Sequence, residues 1–153
     1  MLLHPRQLLL LFRIVPLLVV ACSGSYAVWL DEGATLSQLD IRLATNRGGT
    51  SLKPVRFFVV DSINCDLSYV RPGTGRMWAL SADGADKYAH RLALVRYGSL
   101  PAGFVEDTRA RPLIAGCYSV IVAAEEGRVG GMILRVHPDS TLEEVDPNAR
   151  SGA

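Results

Sequence analysis

Apolar and charged residues alternate in the segment that begins at residue 39. In residues 39 to 43 (LDIRL) an apolar residue recurs at every second position, with a charged residue between. A period of two places successive side chains on opposite faces of an extended strand. Residues 55 to 60 (VRFFVV) are aromatic and β-branched, as in a well-buried strand. The pattern therefore predicts strands in this part of the chain.

The clearest element is a hairpin nearer the C-terminus. Residues 117 to 124 (CYSVIVAA) and 129 to 136 (VGGMILRV) are apolar runs on either side of the turn residues EEG at 125 to 127. The segments between the other candidate strands are rich in Gly, Pro, Ser or Asp, which favours turns. Further short strands are predicted at residues 76 to 80, 91 to 97, 103 to 106 and 141 to 145.

Short strands separated by turn signals indicate an all-β domain. The expected fold is an antiparallel β-sandwich of about seven strands, immunoglobulin-like or similar. A small β-barrel is the alternative. At most one short helix is predicted, near residues 85 to 89, and the polar residues 147 to 153 are expected to form a disordered tail.

Two details resemble immunoglobulin-like or fibronectin-like domains. Cys65, Trp78 and Cys117 occur in the order Cys, Trp, Cys, and residues 112 to 118 (PLIAGCY) resemble the loop that leads into a tyrosine-corner strand. In immunoglobulin domains the second Cys follows the corner Tyr by two residues, whereas here Cys117 precedes Tyr118. The simpler alternative is that Trp78 is a core residue and Tyr118 an ordinary strand residue.

The N-terminal segment has the composition of an export signal. Arg6 and Arg13 supply positive charge, residues 14 to 21 (IVPLLVVA) form an apolar core, and Ala21 is small. A stable transmembrane helix needs about 20 mainly apolar residues, and a central Arg is costly there. Cleavage of a signal peptide over residues 1 to 21 is therefore predicted.

Residues 19 to 22 (VVAC) resemble the bacterial lipobox, in which aliphatic and small residues precede a Cys. The resemblance implies that Cys22 is acylated and that the chain is held in a membrane by a lipid anchor. Ser23 after the Cys is the pattern that implies the outer membrane in Gram-negative lipoproteins. The alternatives are a soluble secreted or periplasmic protein cut after Ala27, with Cys22 discarded in the signal, and a retained anchor.

This interpretation divides the chain into four parts. After the signal peptide, residues 22 to 33 are expected to form a lipidated tether, and residues 34 to 146 the β-sandwich domain, followed by the tail. The length of 153 residues and the apolar content of 49% suit one globular domain.

The charge balance gives no indication of a nucleic-acid partner. Of 16 basic side chains, Arg6 and Arg13 belong to the predicted signal, which leaves 14 against 15 acidic side chains. A basic surplus or run that would neutralise phosphates is missing from the sequence. The expected partners are a membrane, through the N-terminal lipid, and an envelope protein or glycan.

Cys65 and Cys117 remain once Cys22 is assigned to lipid. Export places them in an oxidising compartment, where two cysteines of a small domain usually pair. The bridge would close a loop of about 53 residues and contribute roughly 4 kcal/mol by the chain-entropy relation. Metal ligation is the alternative, but neither Cys has a Cys-x-x-Cys partner or an adjacent His. A disulfide is predicted, with no metal or other cofactor.

Residues 97 to 104 (YGSLPAGF) and 111 to 118 (RPLIAGCY) resemble a pattern of small uncharacterised bacterial lipoproteins. This resemblance implies an exported β-domain without a known activity.

The best candidates for ligand contact lie around the turn at residues 72 to 75 (PGTG). Arg71 and Arg76 flank it, and Tyr69 and Trp78 are close in sequence. Paired guanidinium donors and an aromatic platform would suit an anionic or carbohydrate ligand. The alternative is a solvated hairpin with a core Trp.

No catalytic constellation is evident in the sequence. Ser99 follows Gly98 but lacks the second Gly of a nucleophile elbow. The predicted function is therefore a lipid-anchored binding, adaptor or structural module of the cell envelope. The alternative is a secreted enzyme or metal-dependent accessory protein that uses His90 or His137.

Overall fold

A computed structural model of the chain describes residues 25 to 66, 75 to 84 and 90 to 146. Its regular structure there is β, apart from a single turn of 3-10 helix at Glu125–Gly127. Alternating apolar positions and turn residues produce strands close to the predicted ones. The strands are β1 (Ala27–Leu30), β2 (Asp40–Ala44), β3 (Val55–Ile63), β4 (Arg76–Ala82), β5 (Leu94–Arg96), β6 (Phe104–Thr108), β7 (Gly116–Ala124), β8 (Val129–Val136) and β9 (Leu142–Val145).

The strands form two separate antiparallel sheets. The smaller sheet has the order β1-β2-β5, and the larger has the order β6-β4-β3-β7-β8-β9. The predicted antiparallel β-sandwich is confirmed, since the strands do not close into one sheet. The described residues contain nine strands, compared with about seven in the fold prediction and eight individual predicted segments; the strand that no segment predicts is β1.

The core lies between the two sheets. Ile41 and Val95 from the smaller sheet, and Phe58 and Val120 from the larger, have no exposed surface. Trp78 lies among them, with its ring centroid 5.5 Å from that of Phe58 in an edge-to-face arrangement. The period-two pattern of the sequence accounts for this core, because every second residue of a strand faces the opposite sheet.

The larger sheet is built around two long central strands and the predicted hairpin. β3 pairs with β4 on one side and with β7 on the other. β7 continues into β8 through a turn in which Glu126 and Gly127 adopt φ values of 63° and 70°. Gly127 adopts this left-handed backbone without the steric cost that a side chain would add. The antiparallel pairing of β7 with β8 confirms the predicted hairpin.

The start of β1 connects the two sheets at one corner. The backbone N–H of Tyr26 donates to the carbonyl oxygen of Val129 at 3.1 Å. A Cβ on Gly130 would lie 1.8 Å from the carbonyl oxygen of Tyr26, so only glycine allows this approach. Tyr26 and Val28 are buried. The expectation that residues 22 to 33 are a tether is therefore corrected: the sandwich begins before residue 34.

Several predictions fall outside the described residues. The signal peptide, the short helix near residues 85 to 89 and the tail at residues 147 to 153 are among them. In the part of the chain that the structure describes, no helix has the length and hydropathy needed to cross a bilayer.

Candidate functional site

Cys65 and Cys117 form the predicted disulfide, with their Cα atoms 5.1 Å apart. Cys117 pairs in register with Ile63, the last residue of β3, and Cys65 follows two residues later. The bridge therefore joins β7 to the turn that directly follows its neighbour β3. In immunoglobulin domains the bridge joins the two sheets, so the Cys, Trp, Cys order does not indicate that arrangement here.

Trp78 is a core residue and has no exposed surface. Its indole Nε1 donates to Glu106 Oε1 at 2.9 Å, which satisfies its one polar atom. Its ring meets that of Tyr97 at a centroid distance of 5.2 Å. Burial raises the pKa of Tyr97 to about 12. The ring of Trp78 therefore has no free face for a ligand. The prediction that Trp78 is an aromatic platform for a ligand is wrong, and its alternative, a core Trp, is the one observed.

Arg76 binds a carboxylate of the neighbouring strand. Its Nε donates to Asp61 Oδ1 at 2.5 Å, and Asp61 is 5% exposed. A buried carboxylate needs such a partner, which gives Arg76 a structural role. Tyr69 and Arg71 lie outside the described residues, so their part in a ligand site stays a prediction.

The two candidate histidines lie near opposite edges of the larger sheet. The imidazole of His90 packs on Phe104 at the start of β6, with ring centroids 5.7 Å apart. His137 follows β8, and its Nε2 lies 2.8 Å from Glu143 Oε2 in β9. β6 and β9 are the two edge strands of this sheet. The fold therefore does not bring His90 and His137 together.

The potential metal ligands of residues 25 to 66, 75 to 84 and 90 to 146 are scattered over the domain. No group of three or more His, Cys, Asp or Glu side chains in these ranges is arranged to hold a metal ion.

A polar cleft of about 640 Å³ lies beside the outer face of the smaller sheet. Trp29 in β1 is directly opposite Arg42 in β2, and directly opposed side chains share one face of a sheet. Because the neighbouring pair of Val28 and Leu43 is buried in the core, Trp29 and Arg42 face away from it. The cleft is lined by Trp29, Leu30, Asp31, Glu32, Arg42 and residues 47 to 50.

Ion pairs hold both arginines of this cleft. Arg42 Nε donates to a carboxylate oxygen of Asp31. Arg47 makes two hydrogen bonds to the carboxylate of Glu144, at 2.5 and 3.0 Å. The hydrogen bond to Glu144 raises the pKa of Arg47 above its usual value. An aromatic ring beside oriented donors and acceptors suits a ligand with one apolar face and several hydroxyl or amide groups.

A row of apolar and small side chains crosses the outer face of the larger sheet. It runs from β6 to β8 through directly paired residues: Val105, Ser81, Phe57, Ala123 and Val129. The exposed fractions of Val105, Phe57 and Val129 are 40%, 42% and 54%. The next row on the same face contains Ala79, Val59, Ile121 and Gly131. We call these two rows the apolar end of the sheet.

Sequence reasoning missed both surfaces. The predicted tether includes Trp29, although the apolar residues that flank it are a signal for a strand. For Phe57, the composition of residues 55 to 60 predicts only a place in a buried strand. Its exposure depends on a register irregularity between Val55 and Phe57, which leaves both Arg56 and Phe57 exposed.

Comparison of the chain with protein-family models, curated proteins and solved structures finds no match.

Proposed function

We propose that this chain is a lipid-anchored binding module of the bacterial cell envelope, without catalytic activity. Two features support the location. Residues 19 to 22 resemble a lipobox, and Cys22 lies four residues before Tyr26, whose N–H donates to Val129. The Cys65–Cys117 disulfide is typical of an oxidising compartment such as the periplasm or the cell surface.

The observation that carries the binding function is the cleft beside Trp29. Trp29 is half-buried, so its indole is held in place but still accessible from the cleft. Arg42 and Arg47 are exposed and oriented by carboxylate partners. Groups whose positions are fixed before binding lose little entropy when a ligand arrives. The ligand class that fits is an envelope glycan, whose sugar rings have apolar faces and polar edges.

Titration of the purified protein with soluble peptidoglycan fragments tests this assignment. The expected result, measured by isothermal titration calorimetry, is saturable binding to the wild type that is lost in the Trp29→Ala variant. Ile114→Ala is a matched control, because Ile114 is 71% exposed and does not line the cleft. Absence of a binding heat in the wild type, or binding that survives in Trp29→Ala, would contradict glycan binding at this cleft.

A further inference from the structure

The exposed apolar surface of the domain is concentrated at the apolar end of the larger sheet. Among the described residues, five large apolar side chains are exposed, and Phe57, Val105 and Val129 lie in one cross-strand row. Small side chains between them leave a shallow cleft of about 430 Å³. A contiguous apolar patch of this kind on a solvent-exposed face of a sheet is typical of a contact surface.

The other end of the same face is polar. Asp61 and Arg76 form an ion pair there. Further along, Glu143 in β9 pairs with both Arg135 and His137. The face therefore changes from apolar to charged along the strand direction, and a partner of one chemistry would contact only the apolar end.

The N-terminal segment enters the domain at the start of β8, beside the apolar end. Tyr26 is hydrogen-bonded to the carbonyl group of Val129, which belongs to the exposed apolar row. The missing side chain of Gly130 allows this close approach. Four residue steps separate Cys22 from Tyr26, and four steps span at most about 14 Å when fully extended. Acyl chains on Cys22 would therefore enter a bilayer within a short distance of Val129.

We propose that the apolar end of the larger sheet lies on the surface of the bilayer into which the acyl chains of Cys22 insert. This inference rests on the lipid anchor of the proposed function. Because the lipid anchor already holds the domain at the membrane, the effective concentration of the apolar end at the bilayer surface is high. Even a surface with low intrinsic affinity for lipid would then stay in contact with the bilayer. Phe57 and Val129 reach the boundary between head groups and acyl chains, as apolar residues of interfacial proteins do.

The charges around the cleft suit this position. Arg56 and Arg128 line it together with Phe57 and Val129, and Arg128 Nε also lies 3.6 Å from the carboxylate of Glu126. Guanidinium groups form strong, charge-assisted hydrogen bonds with phosphate oxygens, which every phospholipid head group carries. Docking at this end directs the charged end of the face away from the bilayer.

Site-specific quenching tests the inference on the mature protein purified from membranes. Each variant is reconstituted into vesicles of phosphatidylethanolamine and phosphatidylglycerol, with and without brominated acyl chains. Phe57→Trp and Val129→Trp place the probe in the apolar row. Ile114→Trp is the matched control, because Ile114 precedes β7 and therefore lies at the opposite end of that strand from Ala123. Wild-type emission gives the contribution of Trp29 and Trp78, and thermal unfolding verifies that each variant is folded.

The expected result is loss of the added emission in brominated vesicles for Phe57→Trp and Val129→Trp, with no added loss for Ile114→Trp. Equal behaviour of all three variants would overturn the docking inference. Shielding of position 57 from aqueous acrylamide without quenching by brominated lipid would also overturn it, and would indicate a second copy or another protein on this face. The intact mass of the same preparation separates the two proposals. Acyl mass without differential quenching rejects docking alone, whereas absence of acyl mass rejects the anchor and the inference with it.

Discussion

The phenolic oxygen of Tyr118 hydrogen-bonds both backbone groups of Ile114. It donates to the carbonyl oxygen at 2.7 Å and accepts from the N–H at 3.0 Å. Tyr118 is 3% exposed and lies in β7, so these bonds fasten the preceding loop to the larger sheet. A Tyr hydroxyl that binds backbone a few residues upstream is the contact that defines a tyrosine corner.

Removal of this hydroxyl should destabilise the domain without disturbing its core. We expect Tyr118→Phe to lower the free energy of unfolding by about 1–2 kcal/mol, because the part-buried backbone groups of Ile114 lose their partner. Tyr26→Phe is the control, since its hydroxyl makes only longer bonds of 3.3 and 3.4 Å to Lys53. Urea unfolding measures both variants. An equal or smaller loss for Tyr118→Phe would show that the corner contact contributes little.

The disulfide should provide a large part of the stability. Cys65 and Cys117 are 52 residues apart in sequence, and the chain-entropy relation gives about 4 kcal/mol for a loop of that size. The Cys65→Ala, Cys117→Ala double variant should therefore unfold at a much lower urea concentration than the oxidised wild type. Wild type reduced while unfolded and then refolded is the control. Coincident unfolding curves for the oxidised and reduced proteins would contradict a stabilising bridge.

The ion pair between Asp40 and Arg96 should make stability depend on pH in the acid range. Arg96 makes two hydrogen bonds to Asp40, at 2.7 and 2.8 Å, and the hydrogen bonding from Arg96 lowers the pKa of Asp40. The unfolded chain therefore binds this proton more readily than the folded one. The contribution is complete above the unfolded pKa of about 3.9 and is lost as the pH falls through the lower folded value.

Two variants isolate this pair. The free energy of unfolding of wild type should exceed that of Asp40→Asn near neutral pH, and this difference should shrink below about pH 4. In the Arg96→Gln background, the difference in the free energy of unfolding between Asp40 and Asn at this position should be smaller, because Asp40 has lost its partner. Chemical denaturation at a series of pH values measures the effect. A difference that stays constant through the acid range would rule out a pair with a lowered carboxyl pKa.

The sequence was sufficient to predict most strands and the bridge. Residues 55 to 60 and 129 to 136 carry their strand pattern in their own composition, so no knowledge of partners was needed. The pairing of Cys65 with Cys117 followed from the oxidising compartment that an export signal implies and from the fact that only these two cysteines remain after Cys22. β1 was missed because it is only four residues long and follows small polar residues that resemble a tether.

The functional surfaces depend on contacts between distant parts of the chain. Trp78 is satisfied by Glu106, 28 residues later, so its burial could not be deduced from its neighbours in sequence. The apolar end exists because five strands align Phe57 with residues such as Val105 and Val129. Alternation shows that a strand has two faces, but only the pairing and the position of the second sheet decide which face is exposed.

The contact between Tyr26 and Gly130 should be sensitive to a single methyl group. We expect Gly130→Ala to destabilise the domain by about 1–3 kcal/mol, because the new Cβ would overlap the backbone of Tyr26. Hydrogen exchange in β1 should rise with it. Gly49→Ala is the matched control, since its Cβ would meet only the side chain of Asn46, which can rotate away. Retained protection of β1 in Gly130→Ala would contradict the close approach.

The intact mass of the protein from the membrane fraction, measured for wild type and Cys22→Ala, tests the proposed anchor most directly. The account predicts a wild-type species that begins at Cys22, carries acyl mass and has the two hydrogens of one disulfide missing. It predicts no acylated species for Cys22→Ala. A wild-type species cut after Ala27, or one without acyl mass, would contradict the lipid anchor.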